Sequence, residues 1–315
     1  MSNKLGSPNI SIIIFSHNRH ALLERSFSHY GSSPYPVIVV DSSIKPFEGH
    51  IPKSIQYMHK PNERIGDKIY AALKVVETPY SITSADDDFL SFDALQEGYT
   101  FLRDHPDYTS VQGHYVHFEQ SNPTAYLWPL YVPTIGHKND NDDPKTRMHK
   151  ALDAQHLYAL FRTEDLKVCF RSIIGLNNIT NIELCTAIIG DILGKHKVIP
   201  KFWMARSVDR FTLPFENAQT SQTVVASLDK AYLSRPDGYA FVKGVARVIK
   251  NKGYSLREAH ELIEIALESY EIRVSAIKKK SISKKIRKFI KLNLPHLITK
   301  QLRKVSARSF RNKVK

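Results

Sequence analysis

Short continuous runs of apolar residues alternate with amphipathic segments along the first hundred residues. The runs "ISIIIF", "VIVV", "SIQYMHK" and "YSITSADDDF" are rich in β-branched residues and end in polar ones, which is typical of buried parallel strands. The segments "HALLERSFSHYG", "RIGDKIYAALKVVETP" and "SFDALQEGYTFLRDHP" have helical spacing, and Ser91 is a plausible helix cap. This alternation predicts an α/β fold, a doubly wound and mainly parallel sheet flanked by helices.

The pattern changes in the second half of the chain. "TSVQGHYVHFEQ" predicts a strand, and "NIELCTAIIGDILGKHKVIPKFWMARSVD" predicts a helix, a Gly–Lys turn and another strand. From about Ser221 onward the sequence is helical, and "SLREAHELIEIALESYEIRV" is clearly amphipathic. We therefore expect a main domain over residues 1–220, a helical extension over 221–271 and a separate tail over 272–315.

Three of the predicted strands end in side chains that can bind ligands. The ends read "FSHNR", "VVDSS" and "SADDDF", and a parallel sheet brings such ends to one edge, where ligands bind. Asp86 and Asp88 can point the same way and share a hard cation, Mg²⁺ or Mn²⁺, which would clamp a diphosphate. Alternatively, Asp87 and Asp88 cap the next helix. Asp41 can form an Asx-turn or accept a hydrogen bond from a nucleobase.

Taken together, several of these segments resemble a known family. "ISIIIFSHNR", "VIVVDSS", "KIYAALKVVETPYSITSADDDFL" and "SVQGHYVHF" are similar to the bacterial GT-A glycosyltransferases related to family 2, in particular the subgroup with an "ADDDF" signature. The resemblance covers roughly residues 9–210. It implies a GT-A fold, a nucleotide-sugar donor, a divalent cation and sugar transfer to an acceptor hydroxyl.

The resemblance also implies roles for individual residues. In the family, the first-strand loop holds the nucleoside, an aspartate binds the base, a lysine segment contacts the nucleotide and a "DxD" motif holds metal and diphosphate. The positions that match are, in that order, Ser16, His17, Asn18 and Arg19, then Asp41, then Lys68, then Asp86, Asp87 and Asp88. The alignment through three aspartates is ambiguous by one residue, and Asp86 with Asp88 is the favoured metal pair.

Glu183 falls on the position of the family's general base, which deprotonates the acceptor. An ordinary glutamate in the first turn of a helix is the alternative. Where the family has an "ED" pair, this chain has Ile182 and Glu183, and where many members have a metal-binding histidine it has Arg206. Since arginine cannot bind a metal but can bind phosphate, either the metal is held differently or Arg206 neutralises phosphate charge.

The chain's net charge of +14 comes entirely from its end. From Ile272 to Lys315 there are 16 Lys or Arg and no Asp or Glu, so the first 271 residues hold 29 basic residues against 31 acidic ones. Ile282, Ile286, Phe289, Ile290 and Leu297 are interleaved with these basic residues, and such a tail can lie on an anionic membrane. A solvated basic tail is the alternative.

The expected location is the cytoplasm, on the inner face of the membrane. Cys169 and Cys185 are too few for a disulfide framework, no apolar run approaches the roughly 20 residues that span a bilayer, and the N-terminal run is expected to be a strand and not a signal peptide.

The sequence thus favours a metal-assisted, inverting glycosyltransferase of bacterial surface polysaccharide synthesis, with a glycan or lipid-linked acceptor. A sugar-phosphate nucleotidylyltransferase is the second interpretation, weakened by the missing Gly-rich triphosphate loop. A nucleic-acid-binding protein ranks third, because no basic patch or readout motif outside the tail supports nucleic acid as a partner.

Overall fold

The computed structural model describes residues 9–118, 125–126, 137–154, 156–176, 179–207 and 236–279. The strands are β1 (Ile10–Ser16), β2 (Val37–Asp41), β3 (Ile55–His59), β4 (Tyr80–Ala85), β5 (Phe89–Leu90), β6 (Tyr108–Phe118), β7 (Ala125–Tyr126), β8 (Lys138–Asn139), β9 (Leu160–Arg162) and β10 (Lys195–Ser207). The helices are α1 (His20–Tyr30), α2 (Ile65–Lys74), α3 (Phe92–Asp104), α4 (Pro144–Met148), α5 (Thr163–Arg171), α6 (Ile179–Leu193), α7 (Pro236–Lys250) and α8 (Leu256–Lys279).

The sheet has a parallel half and a mixed half. Its order is β3-β2-β1-β4-β9-β6-β10-β5, with β7 and β8 paired to β6 and β10. The four strands from β3 to β4 are parallel, β9 is antiparallel to both of its neighbours, and β10 is parallel to β6. The predicted fold class, a mainly parallel α/β sheet flanked by helices, is confirmed.

The parallel half forms because its strands are apolar enough to be covered on both faces. All seven residues of β1 and all five of β2 are buried, as the continuous β-branched runs predict. Helix α3 begins where predicted, since the hydroxyl of Ser91 accepts from the backbone N–H of Ala94 at 3.4 Å. Helix α2 is shorter than predicted and ends at Lys74, five residues before Pro79.

The two C-terminal helices pack into the same hydrophobic core as the sheet. Buried residues of this core from α7 and α8 include Phe241, Val245, Ala259, Leu262 and Ile263. Gly244 allows α7 to approach the end of α5 closely, because a Cβ there would lie 2.1 Å from the carbonyl oxygen of Ser172. The predicted start of the extension, residues 221–235, lies outside the described residues, and α8 continues through residue 272 to Lys279.

Among the residues that the structure describes, no helix is long and apolar enough to cross a membrane.

A group of buried histidines lies where β8 pairs with β10. His137, His156 and His196, here called the histidine cluster, are all at least nine-tenths buried. The rings of His156 and His196 have centroids 3.8 Å apart, and Nδ1 of His196 hydrogen bonds the Ser110 hydroxyl at 2.8 Å. Burial lowers the pKa of His156 to about 3 and holds that of His196 well below its ordinary value, so both rings are neutral.

Candidate active site at the carboxyl edge of the sheet

The carboxyl ends of β1, β2 and β4 meet at one edge of the sheet, as predicted. In the parallel registers Ser16 pairs with Asp41, and Phe15 pairs with Ala85. Asp41 and the residues after Ser16 and Ala85 are therefore neighbours in space. This edge, with Asp86, Asp87 and Asp88 at its centre, is called the aspartate edge below.

The three aspartates form a turn and not the end of a strand. The strand was predicted to run through them, but sheet pairing stops at Ala85, and the N–H of Asp88 donates to the Ala85 carbonyl at 3.3 Å. Asp86 is fully buried and Asp88 is 2% exposed, whereas the Asp87 side chain is 23% exposed. The two outer carboxylates thus point inward and the middle one points outward.

Arg19 is the main counterion of the first two aspartates. It lies at the N-terminus of α1, and its guanidinium contacts Asp86 and donates to Oδ2 of Asp87 at 3.1 Å. The Ser16 hydroxyl donates to Oδ2 of Asp86 at 2.6 Å. Both carboxylate oxygens of Asp86 therefore have donors, and the repulsion between adjacent carboxylates is offset by an arginine.

Asp88 has a different set of partners. Its Oδ1 accepts from the backbone N–H of Ser207 at 3.0 Å, and its backbone carbonyl accepts from the Tyr30 hydroxyl at 3.0 Å. Its Oδ2 is buried without a hydrogen bond and lies 3.4 Å from Nε of Arg206. A buried carboxylate oxygen without a hydrogen-bond donor is the kind of atom that a hard divalent cation would satisfy.

Burial dominates the electrostatics of the aspartate edge. Desolvation raises the pKa of Asp86 and of Asp88, and the nearby Asp87 charge raises both further. Arg19 lowers the pKa of Asp86 and Arg206 lowers that of Asp88, each only in part. A cation that entered here would favour the ionised carboxylates. In the described parts of the chain, no cluster of three or more His, Cys, Asp or Glu can hold a metal.

Tyr158 joins Arg206 to the predicted base. The Arg206 guanidinium lies over the Tyr158 ring at 4.7 Å from its centroid, and it donates to the phenol oxygen at 3.4 Å. Burial raises the pKa of Tyr158, and the carboxylates of Asp88 and Glu183 add to that effect. Glu183 is half-buried on α6, and Tyr158 is the residue through which its charge and that of Asp88 act on one group. No sequence pattern singles out Tyr158, which lies outside regular helices and strands apart from one 3₁₀ turn.

Asp41 forms the Asx-turn that was one of its two predicted roles. Its Oδ1 accepts from the backbone N–H of Ser43, two residues on, at 2.9 Å. Its Oδ2 accepts from the Tyr57 hydroxyl at 2.7 Å and lies 3.2 Å from Nε2 of His20. Although burial alone would raise it, hydrogen bonds from Ser43 and Tyr57 hold the pKa of Asp41 below its ordinary value. Tyr57 and His20 were not predicted, because the contact depends on how three elements pack.

The loop after β1 is fastened to the loop after β2. Nδ1 of His17 lies 2.9 Å from the Ser42 hydroxyl, and the N–H of Asn18 donates to the Ser43 hydroxyl at 2.7 Å. Asn18 adopts a φ of +51°, a left-handed conformation that asparagine tolerates better than most residues. The two loops therefore form one hydrogen-bonded surface.

Lys68 lies beneath this surface. Its ammonium is buried, contacts the carbonyl of Ser16 and donates to the Ser42 hydroxyl at 2.9 Å. Burial lowers its pKa to about 8, while the Asp86 and Asp41 charges act in the opposite direction. In the structure Lys68 connects β1 with the loop after β2, and its contact with a nucleotide stays a prediction.

The described fold is similar to that of solved glycosyltransferase structures. S. aureus TarS 1–349 in complex with UDP-GlcNAc superposes with a TM-score of 0.55 at 12% identity, over 88% of this chain and 77% of that one. The complex of the same fragment with UDP gives a TM-score of 0.46 at 13% identity, over 85% and 92% of the chains. At these identities the likeness concerns the fold, and no curated protein sequence matches the chain.

The family itself is shown by the sequence. The model of glycosyl transferase family 2 matches residues 11–170, which is half of the chain and contains all but the first residue of β1, the Asp41 loop, Lys68 and the aspartate edge. This match agrees with the resemblance and with the fold. The chain belongs to glycosyltransferase family 2 and is a glycosyltransferase.

Proposed function

We propose that this enzyme transfers a sugar from a nucleotide-sugar donor to an acceptor hydroxyl at the aspartate edge. The observation that carries the proposal is the charge arrangement at that edge. Three carboxylates are held beside Arg19 and Arg206 at the point where β1, β2 and β4 end. Both signs of charge within one part-buried site suit a bound diphosphate and its counterion.

A divalent cation, Mn²⁺ or Mg²⁺, fits this edge. Asp88 would hold it through the buried Oδ2, with Asp86 as the second carboxylate, although Asp86 is engaged by Ser16 and Arg19 in the structure. Such a cation neutralises negative charge on a departing diphosphate. Arg206, beside Asp88, would bind the same phosphates through its guanidinium, which is the role as a phosphate ligand that the sequence suggests.

The donor nucleoside would lie on the surface formed by the two fastened loops. Ser16, His17, Asn18 and Arg19 come from the first loop, and Asp41 lies beside it. Asp41 already has donors on both oxygens, so a nucleobase would have to share or displace the contact from His20 or Tyr57. Lys68 would act from below, by keeping the two loops together. Asp87, the outward carboxylate, would touch the donor from the side of Arg19.

Glu183 would act as the general base. The acceptor oxygen forms a bond to the anomeric carbon as the bond from that carbon to the phosphate oxygen breaks. The hydroxyl proton passes to the Glu183 carboxylate, and the nucleoside diphosphate leaves with the bonding electron pair. Attack from the face opposite the diphosphate inverts the anomeric centre. Glu183 is half-buried on α6 and its charge acts on Tyr158, which contacts Arg206, and this position supports the role.

The proposed setting is bacterial surface polysaccharide synthesis, such as O-antigen or capsule, at the cytoplasmic face of the membrane. The acidic-residue-free segment after Glu271 supplies the charge for an anionic surface, where a lipid-linked acceptor would be held. No observation in the described residues favours the nucleotidylyltransferase or the nucleic-acid interpretation over this one.

A thermal-shift screen of nucleoside diphosphates and nucleotide sugars tests the donor, with and without Mn²⁺. UDP-sugars come first, because the similar TarS fragment was solved with UDP-GlcNAc. A ligand at about 100 times its Kd stabilises by about 2.7 kcal/mol. We expect one nucleotide to raise Tm selectively, and more strongly with Mn²⁺. The absence of any shift across all nucleotides would contradict the donor assignment.

A further inference from the structure

The C-terminal helices form an exposed apolar groove that the proposed reaction does not use. It has a volume of about 650 Å³ and is lined by α7, the first half of α8 and the turn after α5. Ile174, Tyr239 and Leu256 contribute side chains that are 51%, 66% and 55% exposed. In the described parts of the chain five large apolar residues are exposed, by 44% to 66%, and three of them line this groove. Exposed apolar residues that cluster in one patch indicate a contact surface, whereas single exposed apolar residues scattered over a surface do not.

One wall of the groove is basic. Lys243 and Arg247 follow Tyr239 at four-residue spacing and Lys250 follows three residues later, so all four lie along one exposed stripe of α7. The opposite wall, on α8, contributes His260 and Glu264. The groove lining therefore has three basic side chains against one carboxylate.

We propose that this groove is a lipid-contact surface that seats on anionic phospholipid. An aromatic ring and aliphatic side chains flanked by Lys and Arg are what a protein needs at the boundary between headgroups and acyl chains. The inference rests on the proposed membrane association of the enzyme, but it assigns that association to a second place besides the basic tail.

Two features of the molecule favour lipid over a second copy of this chain. In a symmetric dimer the same stripe would face itself, which would bring six basic side chains together with only two Glu264 carboxylates. The excess of basic residues also begins on α8 itself, from residue 272, so groove and tail would be drawn to a surface of the same charge.

The groove is built to keep its shape without a partner. Phe241, Val245 and Ile249 anchor α7 in the hydrophobic core, and Gly244 holds it against the Ser172 carbonyl. Because the walls are fixed, contact with a surface does not require the helices to fold first. The exposed side chains only exchange water for acyl chains.

Fluorescence quenching in the full-length Tyr239→Trp variant tests the proposal. The probe is a vesicle of phosphatidylglycerol with brominated acyl chains, at low salt, and wild-type protein gives the background from Trp128 and Trp203. We expect the fluorescence of the tryptophan introduced at position 239 to be quenched when the protein binds these vesicles. The matched control is Val75→Trp, also at an exposed apolar position. Val75 follows the last residue of α2, whereas Gly66, in the first turn of α2, lies beside Ile173 on the side of the groove. The Val75→Trp protein should bind the vesicles as strongly as the Tyr239→Trp protein, and the fluorescence of its introduced tryptophan should not be quenched.

Removal of charge gives the second measurement. The double substitution Lys243→Gln and Arg247→Gln should weaken partitioning of the full chain to the same vesicles by about 30-fold, since each basic residue near the surface contributes about a fivefold factor. The same protein should bind the donor nucleotide as tightly as wild type, because both residues lie on α7 and not at the aspartate edge.

Three results would overturn the inference. If the Tyr239→Trp protein sediments with vesicles and the fluorescence of its introduced tryptophan is unchanged, the tail alone binds the membrane. If wild-type protein does not sediment with anionic vesicles at all, the membrane association of the enzyme is wrong, while its nucleotide binding stands independently. If sedimentation equilibrium shows a dimer that Tyr239→Ser abolishes, the groove takes a second copy.

Discussion

The aspartate edge and the histidine cluster both bury ionisable side chains, but they handle charge in opposite ways. At the aspartate edge Asp86 and Asp88 face the guanidinium groups of Arg19 and Arg206. In the histidine cluster His156 and His196 face each other at 3.8 Å, and burial holds both neutral. One region keeps opposite charges together, and the other avoids charge.

The difference shows which region can do chemistry on an anionic ligand. When a ligand enters, the arginines can exchange their carboxylate partners for phosphate while the carboxylates take a cation. The net cost is small because each charge keeps a counterion. Neutral histidines packed against one another offer no charge for a ligand, and the contacts of His196 in the described part of the chain are to neutral groups, the rings of His137 and His156 and the Ser110 hydroxyl. We infer that the first region serves function and the second serves packing.

The largest expected effect comes from Asp88→Asn. The amide oxygen can still accept from the N–H of Ser207, but the negative charge beside Arg206 is lost. We expect sugar transfer to fall roughly ten-thousandfold, or about 5 kcal/mol of transition-state stabilisation, in a protein that still folds. The measurement is turnover with the donor identified by the thermal-shift screen.

His156→Gln is the matched variant from the other region. It also changes a buried polar side chain, yet its transfer rate should stay within about threefold of wild type below its melting temperature, because no charge at the aspartate edge changes. If the two variants lost activity equally, the division between a functional and a packing region would fail.

The second-largest loss of turnover is expected for Glu183→Gln. A general base that becomes an amide can no longer take the acceptor proton, so we expect about a thousandfold loss of turnover with donor affinity nearly unchanged. Isothermal titration with the donor separates the two quantities. Lost affinity with turnover retained on bound donor would place Glu183 with the binding residues.

The sequence predicted the parallel half of the sheet because that half is specified locally. The apolar runs of β1 and β2 are long enough to be buried on both faces, and their polar ends mark the edge. The antiparallel pairing of β9 between β4 and β6 was not predictable, since Leu160–Arg162 is three residues long and its partners are far away in sequence.

The site was predicted in the same uneven way. Asp41 and Asp86–Asp88 are candidates because they end or follow apolar runs, and Arg19 because it follows the first, and their functional roles stay predictions. The pairing of these aspartates with their arginines was not predicted. The pair of Arg19 with Asp86 spans 67 residues of sequence, and that of Arg206 with Asp88 spans 118. Tyr158 carries no pattern at all, because its role follows from the packing of Arg206 on its ring.

A smaller effect, on stability, is expected for Arg19→Gln. Asp86 is fully buried, so removal of its main counterion leaves this carboxylate with only the Ser16 hydroxyl and the Lys68 charge, which costs about 3 kcal/mol. Urea unfolding at pH 7 measures it. The control is Arg64→Gln, whose 3.6 Å pair with Asp67 is 49% exposed on the arginine side and should cost less than about 0.5 kcal/mol. Equal losses would mean that Arg19 does not neutralise the aspartate edge.

The smallest effect concerns the histidine cluster and pH. Burial lowers the pKa of His156 to about 3, against 6.5 when it is exposed to water. Between these two values the unfolded chain binds a proton at this residue that the folded chain does not. The free energy of unfolding therefore falls as pH falls through 6.5, by up to about 1.4 kcal/mol per pH unit for this histidine.

The total pH dependence mixes this contribution with an opposite one. The raised pKa values of Asp86 and Asp88 make the folded chain bind more protons than the unfolded chain as pH falls, which stabilises it. The difference between His156→Gln and wild type removes the carboxylate contribution, since both proteins contain it. We expect the slope of the unfolding free energy against pH, between about pH 4 and 6, to be lower in the variant than in wild type by about 1.4 kcal/mol per pH unit. Parallel curves would mean that His156 is protonated in the folded protein and that the cluster does not exclude charge.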